Sequence, residues 1–174
     1  MVIRVNRAPV LTLWAAVVAE RLGYSRDEAL TMGQVVAGLN AHSKGKALGL
    51  YSPQPQSVKE HRSKLEPGSV VKIDLLHRAV PAVRTAEGLR AISKDRPVEP
   101  ESVERYLASK FQDGLPEVRA AMEELARASA PGDLAARAYE LYESFRPRIP
   151  AGVRGWGAAG NLDLDLIRSL AGRR

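Results

Sequence analysis

The spacing of apolar residues predicts a helix near the start of the chain. Leu11, Trp14 and Val18 recur at intervals of three or four residues, which places them on one helical face. Pro9 fits the opening turn, where its missing N–H costs nothing. Gly23 is suited to end the helix, because glycine adopts the left-handed conformation without strain. We therefore expect a first helix between Pro9 and Gly23.

A second helix is predicted directly after the first. Ser25 and Glu28 have the S-x-x-E spacing of a capping box, in which each side chain accepts a hydrogen bond from the backbone N–H of the other residue. Gly33 and Gly38 follow, and each weakens a helix by up to about 1 kcal/mol relative to alanine. Two glycines in one helix favour close packing against a neighbour. We therefore expect the two helices to form a tight hairpin.

Residues 69–92 carry the pattern of antiparallel strands. β-branched residues are frequent, and Val71, Ile73 and Leu75 alternate with polar neighbours. Pro81 lacks a backbone donor, which predicts that its strand lies at the edge of the sheet. The stretch predicts a β-hairpin or a small three-stranded sheet.

From residue 97 onward the pattern is helical. Val103, Leu107 and Phe111 share one face, and Asp133 and Asp163 are placed to cap two later helices. The predicted fold class is α+β and mostly helical, with an N-terminal helical hairpin, a small antiparallel β-hairpin or three-stranded sheet, and a helical C-terminal half. We divide the chain into residues 1–98 and 99–174, and expect both regions to pack as one continuous domain.

The amino-acid composition argues against several kinds of protein. The 174 residues include no cysteine, which excludes disulfides and thiolate metal sites. The longest apolar stretch, LWAAVVA at residues 13–19, is far shorter than the roughly 18–20 residues of a membrane span. The first residues also lack the apolar core of a signal peptide. These features predict a cytoplasmic protein with no membrane association.

The charge is distributed unevenly. Residues 1–98 hold 15 Lys and Arg against 8 Asp and Glu, whereas residues 99–174 hold 11 against 12. The basic excess of the chain therefore belongs to its N-terminal region, where we expect an anionic partner to bind.

The basic residues concentrate after the second predicted helix. The segment LNAHSKGKALG, residues 39–49, has glycines and lysines but lacks the G-x-x-x-x-G-K-[ST] spacing of a nucleotide-binding loop, and it follows a helix rather than a strand. Its simpler interpretation is a helix end. A helix pair followed by a basic hairpin is also the element order of winged helix-turn-helix DNA-binding proteins. The residues that we expect to contact the phosphate backbone of DNA or RNA are Lys44, Lys46, Lys59, Arg62, Lys64, Arg78 and Arg84.

No catalytic signature accompanies these residues. His42, His61 and His77 lack the spacing of metal ligands, and no G-x-S-x-G motif marks a nucleophilic serine. We expect no metal and no cofactor. Enzymatic activity stays open, and a non-enzymatic nucleic-acid-binding or regulatory role is favoured.

The tail RPRIPAGVRGWGAAG is the other unusual stretch. Trp156 either anchors the last helix to the core or binds a partner together with Arg148 and Arg154. Arg146 also suits acidic partners or phosphates. The alternative function is therefore a protein–protein interaction module that binds an acidic partner, or a homodimer, without nucleic acid.

Overall fold

The predicted fold class, α+β and mostly helical, is confirmed by the computed structural model, which describes residues 2–47, 70–149 and 159–172 and, for residues 42–47, the backbone alone. The helices described are α1 Arg7–Arg21, α2 Arg26–Ala47, α3 Pro100–Phe111, α4 Leu115–Arg127, α5 Pro131–Phe145 and α6 Leu164–Ala171. The strands described are β1 Val2–Val5, β2 Val70–Leu75, β3 Arg78–Thr85, β4 Gly88–Ser93, β5 Arg96–Pro97 and β6 Gly160–Asp163.

α1 is the central helix of the core. The predicted helix is confirmed, but it is buried on all sides from Pro9 to Ala19 rather than along one face. It packs against α2, α4 and α5. Trp14 shows how these elements are joined, because its Nε1 donates to the Ala138 carbonyl oxygen at 2.8 Å and its ring meets Phe145 edge-on at 5.3 Å.

The capping box at the start of α2 is confirmed. The Ser25 N–H donates to Glu28 Oε1 at 2.9 Å, and the Glu28 N–H donates to Ser25 Oγ at 3.2 Å. The second carboxylate oxygen, Oε2, accepts from the Leu89 N–H of β4 at 2.8 Å. Glu28 therefore caps the helix and fastens the sheet to it.

The two glycines of α2 have different environments. A Cβ atom on Gly33 would overlap the Thr12 carbonyl oxygen and lie 3.3 Å from the Ala16 Cβ, so close packing against α1 requires glycine there. A Cβ atom on Gly38 would meet nothing within 4 Å. The predicted close packing is thus confirmed at Gly33 and wrong at Gly38, which lies on the exposed side of the helix.

The main sheet is antiparallel with the strand order β2-β3-β4-β5. It has one short strand more than predicted, and β3 is an interior strand, so the prediction that Pro81 marks an edge strand is wrong. The register explains why proline is tolerated. β3 pairs with β4 only from Ala82 onward, and Pro81 lies in the half of the strand that pairs with β2 alone, opposite Lys72.

A second sheet joins the two ends of the chain. β1 pairs with β6 antiparallel, with Ile3 opposite Leu162. An isolated bridge adds Arg148 on the other side of Asn161. No local pattern predicted this sheet, because its strands are short and lie more than 150 residues apart in the sequence.

The C-terminal helices follow their predicted patterns with one exception. Val103, Leu107 and Phe111 are buried in α3, and the Asp163 side chain caps α6 by accepting from the Asp165 N–H at 3.0 Å. Asp133 does not cap α5, because the helix already begins at Pro131, whose fixed φ suits the first turn. Residues from both predicted regions form one apolar core.

Candidate functional site

Arg78, one of the predicted phosphate contacts, lies in a polar cluster near the end of α2. Its Nη2 donates to Asn40 Oδ1 at 3.0 Å, and the Tyr139 hydroxyl of α5 donates to the same oxygen at 3.2 Å. Asn40 is only 5% exposed, so its buried amide oxygen is satisfied by these two donors. The cluster holds the Arg78 side chain between the sheet and two helices.

The turn before Arg78 has an unusual backbone. Leu76 and His77 both have positive φ angles, 50° and 61°, where a two-residue hairpin turn normally carries asparagine or glycine. Leu76 is nevertheless 2% exposed, and its burial holds the turn in place. His77 Nε2 lies 3.3 Å from Glu140 Oε1 of α5. Packing thus fixes a strained turn beside α5.

A second group of side chains lies where α5 ends and α1 begins. Arg7 Nε donates to the Pro147 carbonyl oxygen at 3.0 Å, and the Arg146 N–H donates to the Tyr142 carbonyl oxygen at 2.7 Å. Burial lowers the pKa of Arg7, and the neighbouring charge of Arg146 lowers it further. Two guanidinium groups therefore repel each other at this corner.

The second sheet adds two further arginines. Arg4 of β1 and Arg148 both lie directly opposite Asn161 of β6, one on each side. Residues directly opposite each other in antiparallel strands place their side chains on the same face of a sheet. Both arginines are exposed.

We call these groups together the cationic end. The rings of Tyr139 and Tyr142, whose centroids are 6.0 Å apart, connect the Arg78 cluster to the corner at Arg146. None of its arginines lies within ion-pair distance of a carboxylate among the described residues. The nearest acids of α5 are Glu140, which contacts His77, and Glu143. The arginines of the cationic end are Arg4, Arg7, Arg78, Arg146 and Arg148.

The predicted contact residues are only partly brought together. The α2 helix runs through Ala47, so Lys44 and Lys46 lie in its last turns, beyond Asn40. Arg84 lies opposite Leu89, beside the start of α2, and six residues of strand place it about 20 Å from Arg78. The predicted residues that lie outside the described residues are Lys59, Arg62, Lys64, Arg154 and Trp156.

No local signal in the sequence marks Arg4 or Arg7 as a site residue. Neither lies in a basic cluster of the sequence, and their role depends on contacts with Asn161 and Pro147, about 140 residues or more away along the chain. The basic excess of the N-terminal region was the available clue, but it does not distinguish these arginines from the others.

The opposite end of the α1–α2 hairpin, which we call the paired end, has a different arrangement. Arg119 of α4 forms ion pairs with Glu20 and, at 3.9 Å, with Glu123, and Arg26 lies 3.5 Å from Glu104. Burial raises the pKa of Glu20, and the charge of Arg119 opposes that effect. A cavity of about 290 Å³ opens here, lined by Val17, Glu20, Arg21, Glu123, Ala126 and Arg127. The two acids of its lining pair with Arg119, whereas Arg21 donates from Nη2 to the Ser129 carbonyl oxygen at 3.1 Å and its buried Nε has no hydrogen-bond partner among the described residues.

The described part of α2 does not resemble a DNA-recognition helix. Leu30, Met32, Val35 and Val36 are buried against the core, so the middle of the helix cannot enter a major groove. The element order of a winged helix-turn-helix is therefore not accompanied by its docking geometry.

Residues 2–47, 70–149 and 159–172 contain neither a metal-binding cluster nor a membrane-spanning helix. That part of the chain has no group of three or more histidine, cysteine, aspartate or glutamate residues arranged to hold a metal ion. It also has no helix that combines the length and the apolar character needed to cross a membrane.

Comparison with protein-family models, with curated proteins and with solved structures finds no match to this chain. The function is therefore inferred from its own residues.

Proposed function

We propose that the protein binds the phosphate backbone of nucleic acid through the cationic end. The observation that carries this proposal is the convergence of arginines from three distant segments without a described carboxylate partner. Uncompensated like charges destabilise a folded protein by mutual repulsion, and a bound polyanion relieves that repulsion. Phosphate contacts by arginine supply most of the affinity in sequence-independent binding.

The side chains suit phosphate oxygens in particular. A guanidinium group can donate two parallel hydrogen bonds to one phosphate, which an ammonium group cannot do with the same fixed geometry. Arg78 is already oriented by Asn40, so less side-chain entropy is lost when it binds. We propose that Lys44 and Lys46, which follow Asn40 in the last turns of α2, add further phosphate contacts. Since the middle of α2 is buried, we propose binding that does not read the base sequence.

Fluorescence anisotropy with labelled single-stranded and duplex oligonucleotides, titrated across salt concentrations, tests the proposal. Wild type is compared with Arg78→Gln and Arg148→Gln. The matched control is Arg84→Gln, on the same strand as Arg78 but beside the start of α2. For duplex DNA, each lost phosphate contact reduces the slope of log affinity against log salt by about 0.9. No wild-type binding at low salt, or equal losses in Arg84→Gln, would contradict the proposal.

The alternative is self-association through the main sheet. β2 is an outer strand with no further partner among the described strands, and its Val71 is 46% exposed. An unpaired strand edge can add a strand from another chain. Light scattering during gel filtration distinguishes the two functions. A stable dimer that binds no oligonucleotide, and that Val71→Lys converts to a monomer, would favour this alternative.

A further inference from the structure

We propose that the cavity at the paired end binds a small aliphatic monocarboxylate, whose carboxylate group pairs with the guanidinium groups of Arg21 and Arg127. The site lies at the opposite end of the α1–α2 hairpin from the cationic end, so this inference does not rest on the proposed function. It assigns to the protein a second kind of ligand, a small molecule rather than a polyanion.

A buried donor without an acceptor carries the inference. The Arg21 Nε is closed off from solvent and makes no hydrogen bond within the described part of the chain. A guanidinium group has five N–H donors, and the side chain of Arg21 uses one of them, from Nη2 to the Ser129 carbonyl oxygen. An unpaired buried donor destabilises the folded state. Since Arg21 lines the cavity, a modest rotation of its guanidinium group would bring Nε to an acceptor placed there.

The charges around the cavity leave a positive charge without a partner. Glu20 and Glu123 line the cavity together with Arg21 and Arg127, and both acids pair with Arg119. These five groups carry three positive charges and two negative ones. Neither Arg21 nor Arg127 has a carboxylate within ion-pair distance among residues 2–47, 70–149 and 159–172. A ligand with one negative charge would balance the site.

Helix ends explain where the two arginines lie but not the unpaired donor. Arg21 is in the last turn of α1 and Arg127 is in the last turn of α4, where a cation interacts favourably with the negative end of the helix dipole. That interaction needs only a charge, and it leaves Arg21 Nε without an acceptor. The two helix ends therefore bring two guanidinium groups to one cavity without satisfying their donors.

The lining favours a carboxylate with a short hydrocarbon tail. A guanidinium group can donate two parallel hydrogen bonds to a carboxylate or to a phosphate, but the acids Glu20 and Glu123 repel a dianionic phosphate more strongly than a monoanion. Val17 and Ala126 add apolar surface for a tail. The volume of about 290 Å³ lies at the lower limit of ligand pockets, so the tail must be short. Butyrate meets these requirements and serves as the probe.

Thermal unfolding with added butyrate at pH 7 tests the site, with sodium chloride used to keep the ionic strength constant. The wild-type midpoint should rise saturably with butyrate, since a ligand that binds only the folded state stabilises it. 1-Butanol, which has the same tail without the charge, and inorganic phosphate should raise the midpoint no more than chloride does. A butyrate response no larger than that of chloride, or a phosphate response equal to that of butyrate, would overturn the inference.

Arg127→Gln separates ligand binding from folding. Arg127 is exposed, so the variant should unfold nearly as wild type does without butyrate, but it should bind butyrate about tenfold more weakly because hydrogen bonds between charged groups are lost. Arg21→Lys keeps the charge at the end of α1 and removes Nε, and it should weaken binding at least as much. Arg105→Gln is the matched control, because it removes an exposed arginine of α3 that does not line the cavity. An unaltered butyrate response in Arg127→Gln, or an equal loss in Arg105→Gln, would overturn the site.

The arginine Nε–Hε signals in nuclear magnetic resonance locate the bound carboxylate. Butyrate should shift the signals of Arg21 and Arg127 and leave those of Arg7 and Arg78 in place. Shifts confined to the cationic end would overturn the site. Oligonucleotide binding decides the proposed function separately, because Arg127→Gln should not change it, and either ligand can bind when the other does not.

Discussion

Two arginines at one end of the α1–α2 hairpin and two at the other are held in opposite ways. At the paired end, Arg119 and Arg26 lie beside carboxylates supplied by other elements. At the cationic end, Arg7 and Arg78 bond to a carbonyl oxygen and an amide oxygen, which orient the guanidinium groups without neutralising them. Charge that is neutralised within the fold contributes to stability. Charge that is oriented but not neutralised remains available to a ligand.

The difference between the two ends does not follow from the basic excess of residues 1–98 and the slight acidic excess of residues 99–174. The paired end includes Arg26 from the basic N-terminal region, neutralised by Glu104 from the acidic C-terminal region. The cationic end includes Arg146 and Arg148 from that same C-terminal region. Tertiary contacts, rather than the order of charges along the sequence, therefore decide which arginines are paired with carboxylates.

The largest expected effect is the loss of stability when a substitution forces α1 and α2 apart. Gly33→Ala should destabilise the protein by about 3 kcal/mol or more, because the new methyl group would overlap the backbone of α1 at Thr12. Gly38→Ala is the matched control, and it should be neutral or stabilising by up to about 1 kcal/mol. Urea denaturation measures both. Equal effects of the two substitutions would show that the close packing at Gly33 is not needed.

A smaller effect should distinguish the two ends directly. Arg119→Gln should destabilise the folded state by about 2 kcal/mol, because it leaves the half-buried Glu20 without its ion pair. Arg146→Gln should change stability by no more than about 0.5 kcal/mol, since relief from repulsion by Arg7 offsets the loss of a favourable cation at a helix end. Equal losses in the two variants, measured by urea denaturation, would contradict the comparison.

The smallest expected effect is on the way that the stability of the protein depends on pH. Hydrogen bonds from the Leu89 and Ser25 N–H groups lower the pKa of Glu28 below its ordinary value of 4.5. A lowered pKa in the folded state means that the carboxylate stabilises the protein above about pH 4.5, and that this contribution is lost as the pH falls through the folded pKa. Glu28→Gln should therefore cost about 1 kcal/mol at pH 7 and almost nothing at pH 2, measured by urea denaturation. A cost that is independent of pH would contradict this role.

Local patterns predicted most of the fold. The capping box at Ser25 and the buried face of α3 depend on residues three or four positions apart, so a short stretch of sequence determines them. The second sheet and the interior position of β3 were missed, because both depend on pairing between segments that no local rule relates. For the same reason Arg78 was found in a basic stretch, whereas Arg7 becomes part of a site only when Pro147 is placed beside it.

The most direct test of the cationic end follows the arginine Nε–Hε signals by nuclear magnetic resonance while a single-stranded oligonucleotide is added at low salt. Each guanidinium reports its own environment, so both ends are observed in one titration. The proposed function predicts that the signals of Arg7, Arg78 and Arg146 shift, while those of Arg26 and Arg119 stay in place. Shifts confined to Arg26 and Arg119, or no shift at any arginine, would contradict it.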